Sequence, residues 1–527
     1  MNATPKWIKY ISIAILVLGL ILRFHNLDLH PYWNDETYTS VQMYGHDYNT
    51  KEFKSKIHNR IITAQDLREY LYPSPTASTV DTVALIAKKE PQLSPLYFIL
   101  DRFWVSTFGN SIAIIRSFSA VVGVLVALAF YWLSMELFHS KTTAWITVAL
   151  VAVSPFHLIY SQEARPPMLW ILTILLSHIA LLRALRQPKA GNWILYSLSI
   201  VLSLYSYLFS LLVLAGHVLF VLIYERFRFS KKVISFLVST LAALICFSPW
   251  LLIFSSNVNK AYQWEYGPIY KMPFWYLSRW LHNLGIVFAD FNIGQISPKV
   301  AQISYSLLLL LILFIVILAW RFFYRNGDKL THVFLTSAII IPLLPLFFKD
   351  LIVGGGVTQV IRYLSPCWIA IELIVAYWLG NQIESAKFPK LAWQSLLVLL
   401  LLLGLSSDIL MTSSELWWNK LDANFFRQYA DQVIAKAKNP LIVNDDSYIP
   451  AAVSLSTSVD PKVRFLLFSE DAEIRIPNGE SEVFLFRPSK KLVKKFQKNY
   501  KLEHVPLKDA YPGGGITSEH FYRVITN

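Results

Sequence analysis

Tyr32-Trp33-Asn34-Asp35-Glu36-Thr37-Tyr38 follows closely on an apolar run from Trp7 to Phe24. The run is long enough to span a membrane, is preceded by Lys6 and has no small-residue cleavage site behind it, which predicts an uncleaved first helix. The stretch after it sets two adjacent carboxylates among aromatics that favour the membrane interface. Chemistry is expected there. The competing reading is an interfacial aromatic cluster with a solvated acid pair.

Composition supports a membrane protein throughout. The 527-residue chain is 55% hydrophobic and only 16% charged, against about 25% charged residues in soluble globular domains. Its two cysteines, Cys246 and Cys367, both lie in apolar segments, which excludes a disulfide framework and a Cys-rich metal site. After the first helix, further spans are expected at 111 to 135, 143 to 160, 167 to 182, 193 to 207, 208 to 224, 233 to 254, 302 to 320, 331 to 348, 357 to 380 and 391 to 411. With the first helix that makes about eleven. Residues 94 to 108 are apolar but interrupted by Asp101 and Arg102, and are read as an interfacial or re-entrant helix.

Charge orients the chain. With the amino terminus cytoplasmic, the inner segments hold fifteen cations, among them Arg226, Arg228, Lys231 and Lys232, against Glu136, Glu225, Asp328 and Glu384. This is the positive-inside signature. It accounts for about eleven of the net +14 charges and removes most of the case for nucleic acid. Residues 25–93, carrying the acid pair, and 255–299, an aromatic loop, then lie outside. So do the turn Tyr160-Ser161-Gln162-Glu163-Ala164-Arg165-Pro166 and the loop before Arg362-Tyr363. The aromatics of 255–299, among them Tyr262, Trp264, Tyr266, Tyr270, Phe274, Trp275, Tyr276 and Trp280, suit an interfacial belt. Residues 1–411 are read as the membrane domain.

After Met411 the apolar spans stop. Leu441-Ile442-Val443, Val463 to Phe468 and Val483 to Phe486 predict strands, and Ala423 to Ala437 and Ser489 to Tyr500 predict helices. Residues 412–527 are therefore expected to form a small extracytoplasmic α/β domain. Lys490, Lys491, Lys494, Lys495 and Lys498 read as a solvated helix face.

Trp33-Asn34-Asp35-Glu36, then Ser94-Pro95-Leu96-Tyr97-Phe98, Gly109 and Arg116, then Ser154-Pro155, Tyr160-Ser161-Gln162-Glu163-Ala164-Arg165 and Arg362-Tyr363-Leu364 occur in this order. In order and topology, residues 8 to 410 resemble the dolichyl-phosphate-mannose-protein mannosyltransferase family of GT-C glycosyltransferases, which includes the bacterial aminoarabinose transferases of lipid A. The resemblance implies transfer of a sugar from a polyprenyl-phosphate carrier to a lipid, glycan or protein acceptor outside the membrane. It makes Asp35 the expected base, with the other matching polar residues lining the donor cavity. Many members carry His or Lys and two prolines before the Leu-Tyr pair, where this chain has Leu93, Ser94 and one proline, Pro95.

The residue types suit that chemistry independently. An acceptor hydroxyl needs a carboxylate to take its proton, and Asp35 and Glu36 are the catalytic candidates. A departing phosphate needs fixed cations, and arginine binds phosphate through two parallel hydrogen bonds. Arg165, Arg362 and Arg116 are the candidates; the resemblance adds Glu163, Tyr363 and Tyr97 as further substrate contacts. The resemblance implies hexosyl or pentosyl transfer with inversion, and the compact architecture implies a bacterial inner membrane. No metal ligands are assigned, because two neighbouring acids without a fuller oxygen set leave a divalent cation open. The rival class is a transporter or flippase for lipid-linked glycans, for which Glu372 is the one deep acid; a second rival is a glycan polymerase or ligase.

Overall fold

A computed structural model describes residues 5–47, 50–72, 77–258, 273–294, 297–385, 389–445, 449–469, 473–477, 479–480, 482–508 and 521–525. Each of the eleven expected spans coincides with a helix or a bent helix pair. Among the described residues, eight helices are long and apolar enough to cross a membrane, or nine with the pair Lys141–Ala152 and Pro155–Ser161, which meet at 57°. The other two are Ala190–Ser206, 17 residues, and Ser210–Tyr224, 15 residues. Residues 94 to 108, expected as an interfacial or re-entrant helix, form the helix Leu96–Phe108.

The bend has an identifiable cause. Pro155 cannot donate a backbone hydrogen bond and turns the residue before it away from helical geometry. The break frees carbonyls at the end of Lys141–Ala152, and buried carbonyls must find donors. Arg23, fully buried at the end of the first helix, supplies them: Nη1 donates to Ala152 O at 2.8 Å and Nη2 to Val151 O at 3.1 Å. Close approach is what lets it reach. A Cβ on Gly19 would lie 2.2 Å from Ala152 O, and one on Gly123 would lie 2.3 Å from Ser161 Oγ. These two glycines let the first helix and Ile112–Phe138 press against the bent pair.

Glu372 lies inside the helix Ser365–Glu384 and meets His157 Nε2 at 3.0 Å. The contact ties the two helices that lead to the Glu163–Arg165 turn and to Arg362. It is a buried crosslink, in which a polar group in a membrane interior finds its partner on a neighbouring helix.

The carboxy-terminal sheet differs from the expectation in one respect. Its six strands run β1 (Ile61–Thr63), β3 (Arg464–Phe468), β2 (Leu441–Asp445), β4 (Val483–Phe486), β6 (Phe521–Ile525) and β5 (Lys501–His504) across the sheet. Strands β2, β3 and β4 fall where the apolar runs of the sequence put them and pair in parallel, while β1 and β6 add antiparallel on either side. The expected boundary at 412 therefore does not enclose the whole sheet, because β1 comes from the loop 25–93. Three residues of strand carry too little pattern to be read alone.

That pairing fixes the relative sides of two distant segments. The loop after the first helix and the chain after the last helix share one sheet, so an even number of crossings separates them. The ten expected spans after the first helix satisfy this. The helix Ile449–Ser456 also packs on Asn34–Met43, with Ser454 Oγ donating to Tyr32 O at 2.6 Å. In this way the sheet domain rests on the helix that carries the acid pair. Tyr262, Trp264, Tyr266 and Tyr270 of the aromatic loop lie outside the described residues, as do the side chains of Phe274 and Trp275. Trp280 is described, on the helix Pro273–Ile286, and donates to Thr358 Oγ1 at 3.1 Å.

Candidate active site

Asp35 and Glu36 occupy the first turn of Asn34–Met43, where the exposed N–H groups and the helix dipole favour negative charge. Successive helical positions point about 100° apart, so the two carboxylates face different surroundings. Glu36 points inward. Its side chain is completely buried, Oε1 accepts from Arg116 Nε at 2.8 Å and from Ala164 N at 3.0 Å, and Oε2 accepts from Arg116 Nη2 at 2.8 Å and from Lys420 Nζ at 3.2 Å. Burial alone would raise the Glu36 pKa, but Arg116 and Lys420 outweigh it and hold the carboxyl down at about 2.

Arg116 has no hand left for a substrate. Its Nη1 donates to Leu27 O at 2.7 Å and His30 O at 3.0 Å, and Nη2 also donates to Pro31 O at 3.0 Å. Lys420 completes the cluster by reaching Glu163 Oε1 at 3.4 Å, where Asn419 Nδ2 also donates at 2.6 Å. Burial pushes the Glu163 pKa up, Lys420 opposes the rise and the nearby Glu36 charge adds to it. Two acids and two cations thus form a closed, neutral, buried group that clamps four chain segments together.

Asp35 faces the other way. Its side chain is 30% exposed, and Oδ2 lies 3.0 Å from Arg165 Nη2 and 3.5 Å from Arg362 Nη2. Arg165 is held in addition by Asp35 O at 3.1 Å and Thr39 Oγ1 at 3.4 Å. The Arg362 guanidinium lies over the Tyr363 ring, 5.2 Å from its centre. Tyr363 in turn meets the edge of Phe209. The cluster of one carboxylate and two guanidinium groups carries an excess positive charge on a partly open surface, which favours an anion.

Of the eight residues expected at a site, Asp35, Arg165, Arg362 and Tyr363 come together on that surface. Glu36, Arg116 and Glu163 come together beneath it, in the buried clamp. Where Glu36 was expected as a catalytic group and Arg116 and Glu163 as substrate contacts, the structure places their polar atoms enclosed and engaged with protein groups. Tyr97 belongs to neither set. It is fully buried, with its hydroxyl 3.0 Å from Ser119 Oγ, because the helix Leu96–Phe108 turns that face onto Ile112–Phe138.

Lys420, Asn419, Gln42 and Glu90 were not among the expected residues. Lys420 lies beyond the last span, after Trp417, Trp418 and Asn419, and a lone cation there was the only signal available. Glu90 is 8% exposed. Burial, opposed by Arg165 and reinforced by Asp35, pushes its pKa up to about 7. Among the described residues, no group of three or more His, Cys, Asp or Glu side chains is placed to hold a metal ion.

A helical membrane domain, a bent helix pair beside the site and a small sheet resting on the first loop together have the architecture of the GT-C membrane glycosyltransferases. Solved structures carry the same fold: ArnT from Cupriavidus metallidurans in the apo state has a TM-score of 0.54 at 10% identity over 97% of both chains. The same protein bound to undecaprenyl phosphate has a TM-score of 0.50 at 10% identity, over 99% of this chain and 98% of that one. The Archaeoglobus fulgidus oligosaccharyltransferase is similar at 0.45 and 13% identity, over 85% of this chain and 64% of its own. Residues 89–253 match the family described as Dolichyl-phosphate-mannose-protein mannosyltransferase. The chain is thus a multi-pass membrane protein with this fold, and part of it is similar to that family. No curated protein matches it.

Proposed function

We propose that the protein moves a sugar from a polyprenyl-phosphate carrier to an acceptor hydroxyl on the extracytoplasmic face of a bacterial inner membrane, with Asp35 as general base and Arg165 and Arg362 holding the carrier phosphate. The observation that carries this reading is the partly exposed Asp35 carboxylate shared by two guanidinium groups. When a phosphate takes over the arginine donors, the carboxylate is released to accept the acceptor's proton. The acceptor oxygen bonds to the anomeric carbon as the bond from that carbon to the phosphate oxygen breaks, and the leaving phosphate departs onto the two arginines.

The proposed reaction inverts the anomeric carbon. A retaining path needs a second carboxylate as nucleophile, and Glu36 is enclosed by Arg116 and Lys420. A single displacement is what this surface supports. The donor reading agrees with the ArnT relative, whose structure holds undecaprenyl phosphate, and the acceptor is a lipid, glycan or protein hydroxyl.

Arg362 gives a direct test of the phosphate contact. Arg362→Lys keeps the charge but loses the planar fork, so donor affinity is expected to fall about tenfold, and Arg362→Ala is expected to be worse. Undecaprenyl phosphate binding to the purified protein measures it. A lysine variant with unchanged affinity contradicts the assignment.

The sidedness of the site is tested by labelling. In a background lacking Cys246 and Cys367, cysteines at Phe229, which is 87% exposed, and at the exposed Lys498 are offered to an impermeant thiol reagent from outside intact cells. Position 498 is expected to react and position 229 to stay unlabelled. The reverse pattern would place the site in the cytoplasm.

A further inference from the structure

Two turns along from Asp35, the same helix presents Gln42, which is 2% exposed. Residues seven apart on a helix share a face and are separated by about 10 Å along its axis. Beside Gln42 lies Glu90, at the end of the helix Thr79–Lys89. Gln92 Nε2 donates to Glu90 Oε2 at 2.7 Å, and the Gln42 side chain also hydrogen-bonds to this carboxylate.

Both amide nitrogens are therefore turned to Glu90, and the two amide oxygens are left over. Gln42 Oε1 and Gln92 Oε1 are buried and have no hydrogen-bond partner. A buried amide oxygen without a donor costs stability, and here two of them flank one buried carboxylate. The two amide oxygens are acceptors that no protein group satisfies, held in place by the carboxylate that takes both amide nitrogens. They need hydrogen-bond donors from a ligand, and a phosphate or a lipid chain has none to offer. Adjacent sugar hydroxyls do, and an amino group on the ring does so as well.

From this arrangement we infer that Glu90, Gln42 and Gln92 form the subsite that recognises the ring of the transferred sugar, about 10 Å along the helix from Asp35. The inference rests on the proposed polyprenyl-phosphate donor. It adds what that reading lacks, a place where the sugar is told from the carrier. Glu90 feels both Asp35 and Arg165 electrostatically, so the two parts of the site are close enough for one donor molecule to bridge them. These residues are positioning and specificity groups, because none of them touches the atoms between which the sugar moves.

The experiment compares binding of undecaprenyl phosphate with binding of undecaprenyl-phosphate glucose, mannose, galactose and an aminopentose to the purified full-length protein. Wild type is expected to bind at least one sugar-bearing carrier about tenfold more tightly than the bare carrier. Glu90→Leu, Gln42→Leu and Gln92→Leu should each lose about tenfold of that preference, while undecaprenyl phosphate itself binds them within twofold of wild type. Gln92→Leu, which removes the least buried of the three, guards against loss of folding in the others. Glu90→Gln, which keeps the shape, should fall between wild type and Glu90→Leu.

The inference is overturned if wild type shows no preference for any sugar-bearing carrier, if the variants keep the preference, or if they weaken the bare carrier equally. It is also overturned if their effect falls on the acceptor KM with donor binding untouched, which would assign the trio to the acceptor. Failure of wild type to bind undecaprenyl phosphate at all, or indifference of that binding to Arg362→Ala, sinks the donor reading itself and is distinguishable from each of these results.

Discussion

Arg116→Leu is expected to destabilise the protein by about 3–5 kcal/mol, the cost typical of removing one partner of a buried ion pair and leaving the other charge enclosed. Glu36 would keep only Lys420 and the Ala164 amide, and the carbonyls of Leu27, His30 and Pro31 would lose their donor. Those carbonyls belong to the segment that leads from the first helix into the site. Thermal unfolding in detergent should show a large drop, and little folded protein should be recovered. Arg116→Lys should recover only part of the loss, because one ammonium cannot replace the fork on Glu36 and three backbone contacts together. A melting temperature unchanged in Arg116→Leu would contradict the role of the clamp.

Asp35→Asn has the opposite signature. Asp35 is partly exposed and contributes little to packing, so the variant should fold and melt like wild type. Its rate of sugar transfer should fall by about 10² to 10⁴, the usual contribution of a general base. Carrier binding should survive or tighten, since the two arginines lose a competing carboxylate. Glu36→Gln should instead show up in folding yield, because its neutral amide leaves Arg116 and Lys420 under-compensated in a buried place. These two neighbours therefore separate a chemical role from a structural one. Equal loss of rate from both, with folding intact, would mean that the acids act as a coupled pair.

The spans were legible because runs of about twenty apolar residues have little other use, and the charge bias between them is a property of sequence alone. Asp35 was legible as an acid beside the interface. The division of labour between Asp35 and Glu36 was not. It depends on which side of a short helix faces Arg116, 80 residues away, and on Lys420, which reaches Glu36 across 384 positions. Tyr97 shows the same limit: its motif marks a helix correctly, but its hydroxyl turns to Ser119 and away from the open surface. Glu90 and Gln42 carry no motif. Their pairing arises where the helix Thr79–Lys89 ends against Asn34–Met43, and only the fold brings an orphaned amide beside a buried carboxylate. Strand β1 is similar, three residues that become a strand because β3 offers an open edge.

The central claim is that Asp35 takes the acceptor proton while the sugar leaves a polyprenyl phosphate. Single-turnover transfer of a radiolabelled sugar from undecaprenyl phosphate, by purified wild type and by folded Asp35→Asn with equal amounts of donor bound, tests it most directly. The account predicts label on the acceptor with wild type and, on the same timescale, label retained on the carrier with Asp35→Asn. Transfer at the wild-type rate by the asparagine variant would contradict it.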